Sequence, residues 1–403
     1  MDARFGKTIG TSNLSDFVYL DHAASTPMRE VAVSAMAPFM SGVYANPAGS
    51  HRFARIARKA LDEARDDVAE AIGCKAGEII FTSGGTEGDN ATIFGSARRR
   101  GGVAVCSAAE HHAVLHCVEN LNGQVVGVDA TGVINVAELE KVLQDPQNAG
   151  RVSVVSVMAV NNEVGSISPL RQVAKVVRAN APNAVLHTDA VQATCWQDLR
   201  EISKLVDVLS VSAHKFGGPK GMGVTMQRIG LEIDPLIVGG GQERDRRSGT
   251  HNVGGIMATA AALRETDSTR DAEVERVTQL RDALVDAVIS EIDDVIETVA
   301  RDKRVPGIAH FCIAGCESEA ILFLLDEAMI CASAASACAS GAMEPSHVLS
   351  AMGVDRKYSM GSLRMSLGHT TTLSDIDRAS TALIAAVHQL RRKKPAVKAQ
   401  VGR

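Results

Sequence analysis

Long apolar runs are missing from this 403-residue chain, and none approaches the roughly 20 residues a membrane span needs. The opening Met-Asp-Ala-Arg-Phe-Gly-Lys-Thr-Ile-Gly has no apolar core of the kind a secretory signal carries. These absences predict a cytoplasmic protein with no membrane association. Aromatic residues are only 3% of the chain, no basic stretch is interleaved with them, and the formal net charge is -5. Bulk nucleic-acid binding is therefore excluded. The eight cysteines (74, 106, 117, 195, 312, 316, 331, 338) include no Cys-x-x-Cys with a second pair. Cys312 and Cys316 are half a zinc site at most, and no Cys or His pair completes it at the usual spacing, so no metal is expected. Free thiols fit a reducing compartment. Internal repeats and low-complexity segments are also absent.

What remains is ordinary globular composition, 45% hydrophobic and 22% charged, in a chain long enough to bury a large core and form about two domains. Short apolar runs alternate with helical patterns through the first two thirds. Strands are expected at 78–82, 103–106, 153–158, 184–188 and 206–211, with helices at 86–100 and 170–180. This is the rhythm of an α/β fold, a mostly parallel sheet flanked by helices. A charged helical stretch at 263–292 leads into a smaller α+β C-terminal domain. The expected division is an N-terminal arm 1–18, a large domain 19–265, a small domain 266–390 and a basic tail 391–403, read as a solvated, mobile end.

One string stands out, Ser-Ala-His-Lys-Phe-Gly-Gly-Pro-Lys-Gly at 212–221. It puts Lys215 between a buried-strand pattern and a glycine-rich turn. Partial desolvation there favours the neutral amine, a nucleophile towards aldehydes. Ser212 and His214 are phosphate donors by type, and a nucleophilic amine beside phosphate donors suggests pyridoxal phosphate held as a Schiff base. Taken alone, the same string also fits a surface lysine in a strand-to-loop turn.

Other residues at strand ends have two readings each. Ser83-Gly-Gly85-Thr86 opens a helix, where free N–H groups and the helix dipole attract an anion, or it serves turn geometry alone. Asp189 suits a pyridine nitrogen or caps a helix with Gln192 three residues on. Asn162 and Gln192 are uncharged donors suited to a phenolate oxygen. His111 stacks on a ring or is an ordinary loop residue. Arg364 has the two-pronged donor set that grips a carboxylate, or makes a surface ion pair. Cys338 lies in Ala334-Ala-Ser-Ala-Cys-Ala-Ser-Gly-Ala-Met-Glu-Pro-Ser-His, a run of small residues typical of a loop. It is inert packing or a nucleophile that swings into a site.

Taken in order, the motifs resemble the NifS/IscS cysteine desulfurases, class V of the fold-type I pyridoxal phosphate enzymes. They are Tyr19-Leu-Asp-His-Ala-Ala-Ser-Thr-Pro, Asn46-Pro-Ala-Gly-Ser-His, Phe81-Thr-Ser-Gly-Gly-Thr-Glu, Glu110-His-His-Ala-Val, Asn161-Asn-Glu-Val-Gly, His187-Thr-Asp-Ala-Val-Gln, Gly239-Gly-Gly-Gln-Glu-Arg, Arg247-Ser-Gly-Thr-His-Asn-Val, Glu344-Pro-Ser-His-Val-Leu and Ser362-Leu-Arg-Met-Ser-Leu-Gly. The resemblance implies that Lys215 holds the cofactor and moves protons, and that Asp189 pairs with the ring nitrogen. It implies that Gln192 and Asn162 reach the phenolic oxygen and that His111 stacks and takes part in acid–base steps. Gly85, Thr86, Ser212 and His214 would hold the phosphate, with Thr250 reaching across a homodimer. Arg364, with Asn162, would bind the substrate. Cys338 would take the sulfur of L-cysteine as a persulfide, releasing L-alanine, and pass it to an acceptor such as an iron–sulfur scaffold or a client enzyme.

The chain departs from the family's usual pattern at three places. Ala335 replaces a glycine, Cys331 stands seven residues before Cys338 as a candidate disulfide partner or second acceptor, and the C-terminal tail lacks the ending that docks iron–sulfur scaffolds. The long segment around Cys338 resembles the group of the family with a mobile catalytic-cysteine loop, and the Arg-x-Gly-His-His-Cys pattern of the family's other group is absent. A selenocysteine lyase or an aminotransferase on the same fold is the alternative.

Overall fold

The computed structural model describes residues 16–334 and 346–392; Cys338 and Ala335 lie outside them. The strands in chain order are β1 Val18–Tyr19, β2 Ile79–Thr82, β3 Val103–Ser107, β4 Gln124–Val126, β5 Val152–Ser156, β6 Val185–Asp189, β7 Val208–Ser212, β8 Gly223–Gln227, β9 Val295–Glu297, β10 Ile308–Ile313, β11 Ile330–Cys331 and β12 Ser362–Ser366. Seven of them form one sheet in the order β2-β8-β7-β6-β5-β3-β4. Only β8 runs against its neighbours, antiparallel to both β2 and β7; the remaining pairs are parallel. The central strands are Val- and Leu-rich and buried throughout, as a sheet covered on both faces requires. The mostly parallel sheet expected from the sequence is thus present, and the helix Leu170–Asn180 falls where its pattern put it.

A second, antiparallel sheet of β12-β10-β9 shares its own hydrophobic cluster, including Phe311, Leu325, Leu363 and Leu383, with the helices Ser318–Glu327 and Leu373–Arg392. One 39-residue helix, Val253–Glu291, serves both cores. Its early residues Ile256 and Leu263 pack in the large cluster, and its later Val277, Leu284 and Val288 in the small one. The charged stretch expected at 263–292 is therefore the continuation of a helix that starts ten residues earlier, where the Asn252 side chain accepts the Gly255 N–H at 3.0 Å.

The segment after β1 crosses between the two cores. β1 pairs with β11, the Ala23 N–H bonds the Ser366 hydroxyl at 2.9 Å, and the Thr26 N–H bonds the His214 carbonyl at 2.9 Å. Residues 21–25 are thereby laid across the carboxyl ends of the central strands, where ligands sit in open α/β sheets. Among the described residues no helix is long and apolar enough to cross a membrane.

Candidate active site

A cavity of about 450 Å³ opens at those strand ends. Its wall includes Gly85, Thr86, His111, Asn162, Asp189, Gln192, Ser212, His214, Lys215 and Arg364. Of the candidate site residues that the structure describes, Thr250 alone is missing from it; Cys338 lies outside the described residues. Thr250 is exposed on the loop before the long helix, outside the cavity of its own chain.

Lys215 follows the end of β7, and its Nζ donates to two backbone carbonyls, Ala23 at 2.6 Å and Ala24 at 2.8 Å. Burial, with the Arg364 guanidinium adding to it, pushes its ammonium down to about 8. A value this close to neutrality leaves a fraction of the amine unprotonated, the form that is nucleophilic. Asp189 closes β6. Burial pushes its carboxyl up to about 7, and the carboxylate of Asp89 adds to the rise. Its Oδ1 accepts the Val191 N–H at 2.8 Å, but residues 190–196 form turns, not a helix. The Gln192 amide goes to the Ala23 carbonyl at 2.8 Å, so the capping-box reading of this pair fails.

At the other end of the cavity the helix Gly85–Arg100 begins. The turn before it lies flat on β8 because residue 223 is glycine; a Cβ there would come within 2.6 Å of the Gly84 backbone. Free N–H groups of the first helical turn, with the Thr86 and Ser212 hydroxyls and the His214 ring, form a donor set for a phosphate. Burial, then Lys215, lowers both His111 and His214 to about 4, so both rings are neutral. His111 caps the helix His112–Asn120, its Nδ1 accepting the Ala113 N–H at 3.1 Å.

Arg364, on β12, is 5% exposed, which rules out a surface ion pair. It donates to the Asn162 carbonyl and to Asp21 Oδ1, each at 2.8 Å, and its Nε has no partner among the described residues. The cavity wall thus brings together a cationic fork, an amine, a buried carboxyl and a set of donors that could hold an anion. Asp21, Asp89 and the Ala23 and Ala24 carbonyls were not singled out from the sequence as site residues. Asp89 had a signal, standing one helical turn after Thr86 on the same side.

Comparison with known proteins agrees. The model for Aminotransferase class-V matches residues 18–379. The cysteine desulfurase IscS of Dictyoglomus turgidum is 40% identical over 386 residues, covering 94% of this chain and 96% of the relative. The chain belongs to the cysteine desulfurases of the class-V aminotransferase family. A second member of this family, the IscS-like cysteine desulfurase of Mycobacterium tuberculosis, is 40% identical over 390 residues, 93% of this chain and 97% of that one. Among solved structures a NifS-like protein superposes with a TM-score of 0.85 at 32% identity, covering 93% of this chain and all of its own. The family's fold-type I architecture is the one described above.

Proposed function

We propose that the chain is a pyridoxal 5′-phosphate-dependent cysteine desulfurase that moves the sulfur of L-cysteine onto its own Cys338 as a persulfide and releases L-alanine. The atoms balance as L-cysteine plus the Cys338 thiol giving L-alanine plus the Cys338 persulfide. The observation that carries this reading is the convergence of Lys215, Asp189, the donor set at residues 85–86 and 212–214, and Arg364 on one cavity. The fit is chemical at each point: a depressed amine for an aldehyde, an anion cradle for a phosphate, a buried carboxyl for a ring nitrogen. When bound, the cofactor supplies an electron sink for the negative charge left at the substrate Cα.

The chain's own groups do the rest. Lys215 Nζ moves the proton at Cα, the Arg364 fork orients the substrate carboxylate, and Asp189 faces the ring nitrogen. Asn162 and Gln192 would serve the phenolic oxygen, and His111 would cover the ring. We place Thr250 at the phosphate of a second copy in a homodimer, supported by its exposure and by the Arg247–Glu87 pair at 2.9 Å, which ties its loop to the first turn of the cradle helix. The large domain 19–265 then holds the cofactor and the small domain 266–390 brings Cys338, a division supported by one hydrophobic cluster drawn mostly from residues 23–263 and another drawn mostly from residues 277–387. The boundary falls inside the helix Val253–Glu291. The persulfide passes to an acceptor protein for iron–sulfur cluster assembly or another sulfur-containing product.

Reconstituting the protein with pyridoxal phosphate and supplying L-cysteine tests this reading. Alanine forms without a keto acid, and Lys215→Ala loses both the visible absorbance of the bound cofactor and about 10²- to 10⁴-fold or more of the rate. Wild-type alanine production by Lys215→Ala, or a requirement for a keto acid, contradicts it.

A further inference from the structure

Behind Asp189 lies a buried polar cluster that the proposed roles leave unused. Asp89 is 1% exposed yet reaches the floor of the cavity. Its Oδ1 has no hydrogen-bond partner among the described residues. His187 Nε2 stands 3.4 Å from it. His187 is two residues before Asp189 on β6, hence on the same face, and is fully buried. Its Nδ1 meets Ser156 Oγ at 2.8 Å and its Nε2 meets Ser210 Oγ at 3.1 Å. The helix comes this close to the sheet because residue 88 is glycine; a Cβ there would sit 2.5 Å from Thr225 Oγ1 and 2.8 Å from Ser210 Oγ.

We propose that Asp89 and His187 form a proton switch that sets how much negative charge Asp189 presents to the cofactor's ring nitrogen. Asp89 is thus a positioning residue for the reaction, and the inference rests on Asp189 being the ring partner. Two arrangements satisfy the same atoms. Protonated Asp89 directs its O–H to His187 Nε2, whose Nδ1–H donates to Ser156 Oγ. Ionised Asp89 accepts from Nε2–H, and Nδ1 then accepts the Ser156 hydroxyl proton. The two differ by one proton, and the imidazole stays neutral in both while its tautomer changes.

The surroundings make such a switch sensitive near neutrality. The titratable groups around Asp89 are His187 and Asp189 on β6, Glu110 from the loop after β3, and Cys117 on the helix His112–Asn120. Burial pushes Asp89 up to about 7 against the Ser210 hydrogen bond, and pushes Glu110 well above the carboxylate range. Burial also lowers His187 to about 4, with Asp189 opposing. Two carboxyls that repel in a dry site share one negative charge rather than carry two. An uncharged Asp89 leaves that charge on Asp189.

Asp89→Asn separates the possibilities. In the full-length protein without cofactor, ¹⁵N NMR of the His187 ring is expected to pass from Nδ1–H to Nε2–H as pH rises through neutrality, and to stop changing in Asp89→Asn. With cofactor bound, the pH midpoint of its visible absorbance is expected to fall by about one unit in the variant, because the shared negative charge then stays on Asp189 and would hold the ring nitrogen in its protonated, positive form. Asp89→Thr, also uncharged, gives the same shift if the Asn variant does not fold. A pH-independent tautomer in the wild type, or an unchanged midpoint in both variants, overturns the proposal. Absence of any Lys215-dependent absorbance in the wild type would instead sink the cofactor reading, and the ring tautomer would still decide the switch.

Discussion

Lys215 and Arg364 are two basic side chains in one cavity with opposite treatment. Arg364 has an anion to meet its charge, Asp21 Oδ1 at 2.8 Å. Lys215 donates to the Ala23 and Ala24 carbonyls, and burial followed by Arg364's own charge depresses it to about 8, with Asp189 and Asp21 opposing. Arg364→Lys keeps a positive charge but loses the two-pronged geometry. It is expected to raise the KM for L-cysteine about 10- to 100-fold, the worth of a charge-assisted hydrogen bond, while kcat changes less. Steady-state kinetics on the holoenzyme check this, and an unchanged KM removes Arg364 from the substrate carboxylate. Lys215 and Asp189 were legible in the sequence because each ends or follows an apolar run long enough to be a buried strand. Asp21 was not recognised as Arg364's partner. The two stand 343 positions apart, and no local pattern encodes that pairing.

At the scale of elements, the loop 239–251 carries the largest local tension. Glu243, Arg244 and Asp245 have φ of 49°, 59° and 64° in succession, left-handed conformations that cost non-glycine residues about 1–3 kcal/mol each unless the surroundings over-determine them. Glu243 supplies that determination. Its carboxylate accepts Arg65 at 2.8 and 2.6 Å, the Phe81 N–H at 3.1 Å and His251 at 2.7 Å, joining the loop to the helix Arg52–Ile72 and to β2. Burial raises this carboxyl, but the Arg65 and His251 hydrogen bonds outweigh it and hold it at about 2. Glu243→Gln leaves Arg65 buried without its counter-charge and is expected to cost about 3–5 kcal/mol, read by denaturant unfolding. A group depressed on folding contributes stability that is present above its unfolded value of 4.5 and lost as pH falls through about 2. The gap between wild type and variant should therefore narrow over that window. An unchanged unfolding midpoint contradicts the clamp. The sheet's strands were legible from their apolar runs. The first ten residues of the long helix were not, since Gly254-Gly255 reads as a breaker and the following Ala-rich turns lack charge. Burial on all sides stabilises that turn where propensity does not.

Over the whole molecule, the cavity draws its lining from residues far apart in the chain, from Ala23 to Arg364. The arm at residues 18–26 contributes Ala23 and Ala24 to its wall, and Ser333, just before residues 335–345, contributes as well. Before them, Ser333 pairs with Arg364 through the Arg364 N–H at 2.7 Å, and Ser362 Oγ donates to the Ala334 carbonyl at 2.8 Å. After them, Ser346 bonds Glu163 and His347 bonds the Glu110 carbonyl. Cys331 is a free thiol on β11 whose proton is held more tightly by burial and by Asp326 and Asp21, which disfavours it as a second nucleophile. In the sequence Cys338 was legible only through the family motifs, because a cysteine among alanines and serines also fits inert packing. The most direct test is to mix the cofactor-loaded protein with sulfur-labelled L-cysteine, digest it without reductant, and locate the added sulfur by mass spectrometry. The expected result is one extra sulfur on the Cys338 peptide, removed by reductant and absent from Cys338→Ser, which should still perturb the cofactor absorbance when cysteine binds. Label on another cysteine, or wild-type sulfur release by Cys338→Ser, would contradict the account.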